Sequence, residues 1–431
     1  MHTHSSEGGP ELTNADWILT GASRLITCAP DVSPAANGPL GIIEQGALAS
    51  LAGHIVWVGP EDELAQSVDL ASVAPRARRD AGGRAVLPGF VDSHTHFVFA
   101  GDRMEEFQLR HAGTSYEEIA ERGGGILHTV RATRETDTDV LLASGRNRLG
   151  SFAAHGTTTV EGKTGYGLDL ITEERCLRVM QDLAGKKGLP AVVSTFLGAH
   201  TIPPEHRGSK NGRERYVDSV CEEMLPAFAG KARFCDVFCE RTAFSVPETR
   251  RILERARNLG YRLKLHANQL GDTGGAALAA ELGAISADHL DFAGDHDLRE
   301  LAAAGVTATL LPGCSFTLGT PYPQWERFRR AGLTVALATD FNPGTSFCEN
   351  MQSILAFAVN SMGATLEEAI LAATVGGACA LDLDKEVGSL EPGKRCDLIM
   401  LTGADERELA YHFGVNLVGE TVIGGVVLPI E

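Results

Sequence analysis

The sequence has no C-x-x-C pair and no repeated cysteine spacing. Its nine cysteines, Cys28, Cys176, Cys221, Cys235, Cys239, Cys314, Cys348, Cys379 and Cys396, are scattered along the chain. That excludes a disulfide framework or a cysteine-rich zinc module, and the thiols read as reduced and mostly buried. No apolar run approaches the roughly eighteen residues that a membrane span needs. Residues 1–16 are polar, acidic and short of lysine and arginine, so they do not read as a signal peptide. Positive charge is scarce throughout: 38 Lys and Arg stand against 56 Asp and Glu, a net charge of −18. Nucleic acid and anionic membrane are thereby disfavoured as partners, because both are bound through clustered cations. A cytoplasmic protein acting on a small molecule is the expectation. An anionic substrate would need a local arginine clamp working against the global field.

What the sequence does have is length and rhythm. Its 431 residues suffice for one large domain and a satellite, and 49 glycines without a G-X-Y period suggest many tight turns rather than a fibre. From Trp17 to about Leu87 the chain is β-rich and punctuated by turns, and the far end, through "VGSLEPGKRCDLIML" and "NLVGETVIGGVVLPIE", reads the same way. Both termini are therefore expected to form one small β-sandwich domain, residues 1–88 plus 386–431. The middle, 89–385, alternates strand-like and helix-like runs. Eight strand candidates occur in order: "AVLPGFVDSHTH", "GTTTVEGKTGYG", "AVVSTFLGAH", "RFCDVFCE", "RLKLHANQ", "AISADHL", "TATLLPGCSF" and "TVALATDFNPG". Eight alternating βα units predict an α/β fold of the (β/α)₈ barrel type, whose functional groups gather at the C-terminal ends of the strands.

Those ends are polar. His94 and His96 sit two apart in "DSHTH" at the close of an apolar run, and side chains at i and i+2 share a strand face, so both imidazoles can reach one ion. H-x-H alone is weak evidence: His2 and His4 make the same pattern in "MHTH", where no strand is in prospect, and read as a solvated terminus. His266 in "LKLHANQ" and Asp340 in "ALATD" follow later strands. Three imidazoles and a carboxylate make a set that accepts one metal ion per chain, Zn²⁺ or Fe³⁺, with a position open for water. His289, in "SADHL", is expected beside the ion rather than on it. The neighbouring Asp288 either orients that ring or faces the barrel wall.

"LPGFVDSHTH", "LHANQ", "SADHL" and "LATDFNPG", in this order, resemble the amidohydrolase superfamily in its single-metal form. Two-metal members usually carry a bridging lysine on the fourth strand. "RFCDVFCE" has none, and Lys163, on the second strand, is not in that slot. "HFVFAGDR", "GGGILHTVRATR", "TTTVEGKTGYGLD", "TFLGAHTIPPE" and "TDFNPGTS" are further similar to the imidazolonepropionase family. That resemblance implies metal-dependent hydrolysis of the lactam C–N bond of 4-imidazolone-5-propanoate to N-formimidoyl-L-glutamate, in histidine degradation. It also implies a homodimer. The alternative is another cyclic amidohydrolase or aminohydrolase on the same scaffold, such as a heterocycle deaminase.

The resemblance assigns roles residue by residue. Arg103 is expected to clamp the propanoate bidentately. Tyr166 and His200 contact the ring and carbonyl, and Asn342, Gly344 and Thr345 supply hydrogen bonds from the loop after the last strand. Tyr116 reaches the substrate from the loop after the first strand, and the glycines at 123 to 125 form a lid over the mouth. Related deaminases carry Glu where this chain has Gln269. An amide hydrogen-bonds but moves no proton, so Asp340 and His289 share the acid and base work while Gln269 reads the ring. Which of the two is the general base is left open.

Overall fold

The computed structural model describes residues 12–114 and 124–428; His2, His4, Tyr116 and Gly123 lie outside them. The chain begins in a mixed sheet with β1 (Trp17–Ile26), β2 (Ile42–Leu51), β3 (His54–Pro60), β4 (Arg78–Asp80) and β5 (Val86–Pro88). Along β1 a bulge between Leu19 and Ala22, with Gly21 at φ +70°, resets the alternation. Leu19, Ala22 and Leu25 consequently join one apolar cluster and Ile18 another.

At Gly89 the chain leaves this sheet. A β-carbon there would overlap the side chain of Thr158, so only glycine permits the close approach. Eight parallel strands follow: β6 (Phe90–Asp92), β7 (Thr157–Lys163), β8 (Ala191–Ala199), β9 (Phe234–Cys239), β10 (Arg262–Ala267), β11 (Ser286–His289), β12 (Thr307–Leu310) and β13 (Val335–Leu337). Each pairs with the next in sequence. The ends meet through a parallel bridge between Thr95 and Phe341, where the Asp340 amide donates to the His94 carbonyl at 3.1 Å and the His96 amide to that of Phe341 at 2.8 Å. Buried Asp92 adds to the closure by accepting from both the amide and the hydroxyl of Thr339. The result is the expected (β/α)₈ barrel, and its closure joins the two segments that carry His94, His96 and Asp340.

Helices surround the strands, among them α1 (Met104–His111), α2 (Thr138–Ala154), α3 (Leu170–Leu183) and α4 (Val246–Asn258). In α4 the reason for helix is visible locally. Ser245 and Glu248 form a capping box, Pro247 occupies the first turn, and Thr249, Ile252, Leu253 and Ala256 make a buried stripe at i, i+3, i+4 and i+7. Burying Ile252 and Leu253 contributes roughly 1.5–3 kcal/mol each. After the barrel the chain returns to the first sheet with β14 (Leu398–Leu401), β15 (Val418–Ile423) and β16 (Val426–Val427), in the order β16-β15-β14-β5-β1-β2-β3, with β4 beside β1. Both ends of the chain thus build one sheet. Its strands present Leu87, Ile399 and Leu401 to the barrel core and Val86, Leu398 and Met400 to the opposite cluster, as period-two geometry requires. None of the described helices is long and apolar enough to cross a membrane. All nine cysteines are free.

Candidate metal centre and active site

His94, His96 and His266 bring ring nitrogens within 4.8 Å of one another at the C-terminal mouth of the barrel. The loop after β13 adds Asp340, whose Oδ1 lies 3.5 Å from His94 Nε2 and 3.9 Å from His96 Nε2. The pairs are too long for good hydrogen bonds, and His94 Nε2 is buried without a hydrogen-bond partner. Nitrogens that face a carboxylate oxygen across a shared gap fit a cation held between them.

The opposite ring edges explain the orientation. His94 Nδ1 lies 2.6 Å from Asp288 Oδ2, and His266 Nδ1 lies 2.9 Å from Asp236 Oδ2. A carboxylate can only accept, so His94 Nδ1 carries the proton of its hydrogen bond and its Nε2 presents a lone pair to the ion, while Asp236 stands against the Nδ1 edge of His266 and leaves its Nε2 edge toward the gap. Burial, then neighbouring positive charge, holds the His94 and His96 pKa values well below the ordinary value, keeping both rings neutral and able to ligate. Burial opposes ionisation of Asp236, but His266 and Lys163 hold its pKa below the usual carboxylate range. Asp288 therefore faces into the barrel and orients His94, not His289.

Asp340 and His289 have φ values of +53° and +77°. For non-glycine residues this left-handed backbone costs on the order of 1–3 kcal/mol each, a strain that concentrates at functional sites. Burial pushes the Asp340 carboxyl up to about 7 against the pull of His266, Asn342 and Thr345. The His289 ring packs 5.4 Å from that of His266, and its pKa is held well below normal, mainly by burial.

These groups open into a cavity of about 890 Å³ lined by His96, His266, His289 and Asp340, and also by Arg103, Tyr166, His200, Gln269, Asn342 and Thr345. His200 stacks on His96 at 5.2 Å and donates from Nδ1 to the Gly165 carbonyl, leaving Nε2 as an acceptor. Gln269 donates to Cys314 Sγ at 3.6 Å. Asn342 lines the cavity, yet its amide is engaged within its own loop: it donates to the Asp340 carbonyl and Thr345 and accepts from the amides of Gly344 and Thr345. Gly344 departs from expectation. It does not line the cavity, because its amide is taken by Asn342 and its carbonyl accepts from Arg110. Glu161, on β7, does not reach the mouth and lies inside the barrel between Lys163 and Lys264.

Sequence reasoning missed several residues. Glu106, on α1, holds the Arg103 guanidinium through Nε and Nη2, and also accepts from the Gly125 amide. Arg110, Arg207 and Arg213 also line the cavity, beside Gly124 and Gly125 of the glycine run expected at the mouth. With Arg103 these make four cations against the carboxylates of Glu106 and Asp340, so the cavity is locally positive inside an acidic protein. Asp236 and Lys264 carried a usable signal: a charged residue in the middle of an apolar strand run is rarely there without a partner.

The sequence matches the amidohydrolase family over residues 85–428. An imidazolonepropionase of Symbiobacterium thermophilum is 49% identical over 429 residues, covering 96% of this chain and 98% of its own. One of Parabacteroides distasonis is 45% identical, with the same coverage. In structure the chain is similar to a zinc-bound adenosine deaminase from Xanthomonas campestris (TM-score 0.71, 18% identity, 97% of this chain and 93% of that one). It is likewise similar to a 5-methylcytosine deaminase from Klebsiella pneumoniae (TM-score 0.69, 17% identity, 96% and 98%). At such identities these two share the fold alone. Taken with the metal-binding cluster at the barrel mouth, the sequence matches establish that this chain belongs to the amidohydrolase family and, within it, to the imidazolonepropionases.

Proposed function

We infer that the chain hydrolyses the lactam C–N bond of 4-imidazolone-5-propanoate, yielding N-formimidoyl-L-glutamate in histidine degradation. The observation that carries this reading is the pairing of the His94, His96, His266 and Asp340 cluster with an arginine-rich cavity in a protein of net charge −18. His94, His96 and His266 would hold the ion through Nε2 and Asp340 through Oδ1. When bound, the ion supplies Lewis acidity, polarising a carbonyl and lowering the pKa of water from about 15.7 to about 7. The donor set suits zinc or iron, and elemental analysis of the purified protein distinguishes them.

The remaining steps belong to the side chains. Arg103, held by Glu106, receives the propanoate with Arg110 alongside, and so fixes the ring relative to the metal cluster. Tyr166 packs over the bound ring, and Gln269 hydrogen-bonds its edge. As the water oxygen bonds to the ring carbonyl carbon, Asp340 or His289 takes the water proton. The same groups return a proton to the ring nitrogen as the C–N bond breaks. His200 Nε2 accepts from a substrate N–H. The free thiols support a cytoplasmic location. Exposed Tyr411, Phe413 and Val415 support a homodimer contact, checked by the mass of the native protein in solution.

The test is loss of the ultraviolet absorbance of freshly generated 4-imidazolone-5-propanoate with metal-loaded and chelator-stripped protein. Rapid loss that only added metal restores supports the assignment. No loss with a fully metallated sample overturns the substrate and keeps the fold.

A further inference from the structure

Five charged side chains are sealed inside the barrel beneath the histidines: Glu161 and Lys163 on β7, Asp236 on β9, Lys264 on β10 and Asp288 on β11, all fully buried. Lys163 Nζ lies 2.7 Å from Asp236 Oδ2, 3.2 Å from Asp288 Oδ2 and 3.0 Å from Glu161. The two aspartate oxygens it touches are the same two that face His266 Nδ1 and His94 Nδ1. Each oxygen therefore stands between the ammonium and an imidazole Nδ1, hydrogen-bonded to the ring in His94 and in close contact with it, at 2.9 Å, in His266. Lys264 is placed differently: it reaches Glu161, the Ser93 carbonyl and the Ala380 carbonyl, and among the described residues it touches neither Asp236 nor Asp288, although its charge, with that of Lys163, helps to keep Asp288 ionised.

We propose that Lys163 is a positioning residue for the metal centre, in which one ammonium group fixes both orienting carboxylates and so aims His94 and His266 as a coupled pair. Three fully buried carboxylates converge on one point, and Lys163 is the cation at that point. Its three N–H donors match the three acceptors, a compact tetrahedral arrangement that the planar fork of arginine cannot reproduce. Groups that orient metal ligands typically change metal affinity 10–100-fold when removed. A lysine that holds two of them reaches the ion through two ligands at once.

This inference rests on the metal assignment to His94, His96, His266 and Asp340. The experiment is zinc affinity by competition with a chromophoric chelator, on wild type, Lys163→Met and Lys264→Met, with folding of each metal-free protein followed by circular dichroism. Zinc affinity should fall about 10–100-fold in Lys163→Met and clearly less in Lys264→Met, which removes a charge that also acts on Asp288 but touches neither shared oxygen. Unchanged affinity in folded Lys163→Met, or equal losses in both variants, overturns the proposal. If the wild type itself binds no zinc, the metal assignment fails first. If Lys163→Met does not fold, the decision passes to Asp236→Asn, Asp288→Asn and their double variant with the lysine intact. Coupling through one ammonium makes their effects on zinc affinity non-additive, and additive effects overturn it.

Discussion

Gly344 and Arg103 are fitted to each other: a β-carbon at Gly344 would overlap the Arg103 guanidinium at Nη1. Glu106 takes Nε and Nη2 of the same group, so the arginine is wedged between α1 and the loop that follows Asp340. The glycine expected to bond the substrate is instead fitted against Arg103, the proposed carboxylate clamp.

Gly344→Ala should therefore displace Arg103 and raise KM about tenfold or more, equivalent to about 1.4 kcal/mol, with kcat and bound metal little changed. Steady-state kinetics checks this, and an analogue without the carboxylate should show no such difference. An unchanged KM would place the propanoate elsewhere.

Arg103→Ala should lower kcat/KM by about 100-fold or more, because it also leaves the buried Glu106 carboxylate without its partner. Arg103→Lys should recover little, since an ammonium cannot contact Glu106 and a substrate carboxylate with the same fork. Full activity in Arg103→Lys would show that charge alone suffices.

Asp340→Asn should alter how stability depends on pH in the metal-free protein. Burial raises the Asp340 pKa to about 7 in the folded chain, against about 3.9 unfolded. Between these values the unfolded chain has released a proton that the folded chain still holds, so this residue's contribution to stability falls as pH rises from about 4 to about 7. Asparagine does not titrate. Relative to wild type, the variant should gain Tm at pH 8 and not near pH 4. With metal bound the order at pH 8 reverses, because the ion loses a ligand. Parallel melting curves across that range would sink the idea.

Removing the metal should lower Tm by a few degrees. Free ion at 100 times its Kd stabilises the folded state by about 2.7 kcal/mol. Calorimetry with and without chelator measures it, and identical transitions after proven metal loss would mean that the histidine cluster holds no ion.

Gln269→Leu should reduce kcat/KM about tenfold by leaving a ring hydrogen bond unmade, without moving either limb of the pH profile, because an amide carries no titrating proton. A shifted limb would give Gln269 a part in placing Asp340 or His289.

The chain order of the site was legible from sequence because its signals are local. His94 and His96 share a strand face by their spacing, the βα rhythm counts to eight, and His266, His289 and Asp340 each follow an apolar run. A strand's C-terminal end is a one-dimensional fact, and the barrel converts it into a position at the mouth. The partners of those residues were not legible. His94 finds Asp288 194 positions away, and Lys163 finds Asp236 and Asp288 73 and 125 positions away. Such contacts depend on which strands become neighbours and on the register in which the barrel closes, and no local pattern encodes either. Residue type and spacing therefore determined the kind of chemistry this chain can carry. Closure between the segments around Thr95 and Phe341 decided which carboxylate orients which histidine, how Arg103 is held, and that Gly344 serves the arginine, because burial away from bulk solvent makes every charged group depend on whatever side chain the fold sets beside it.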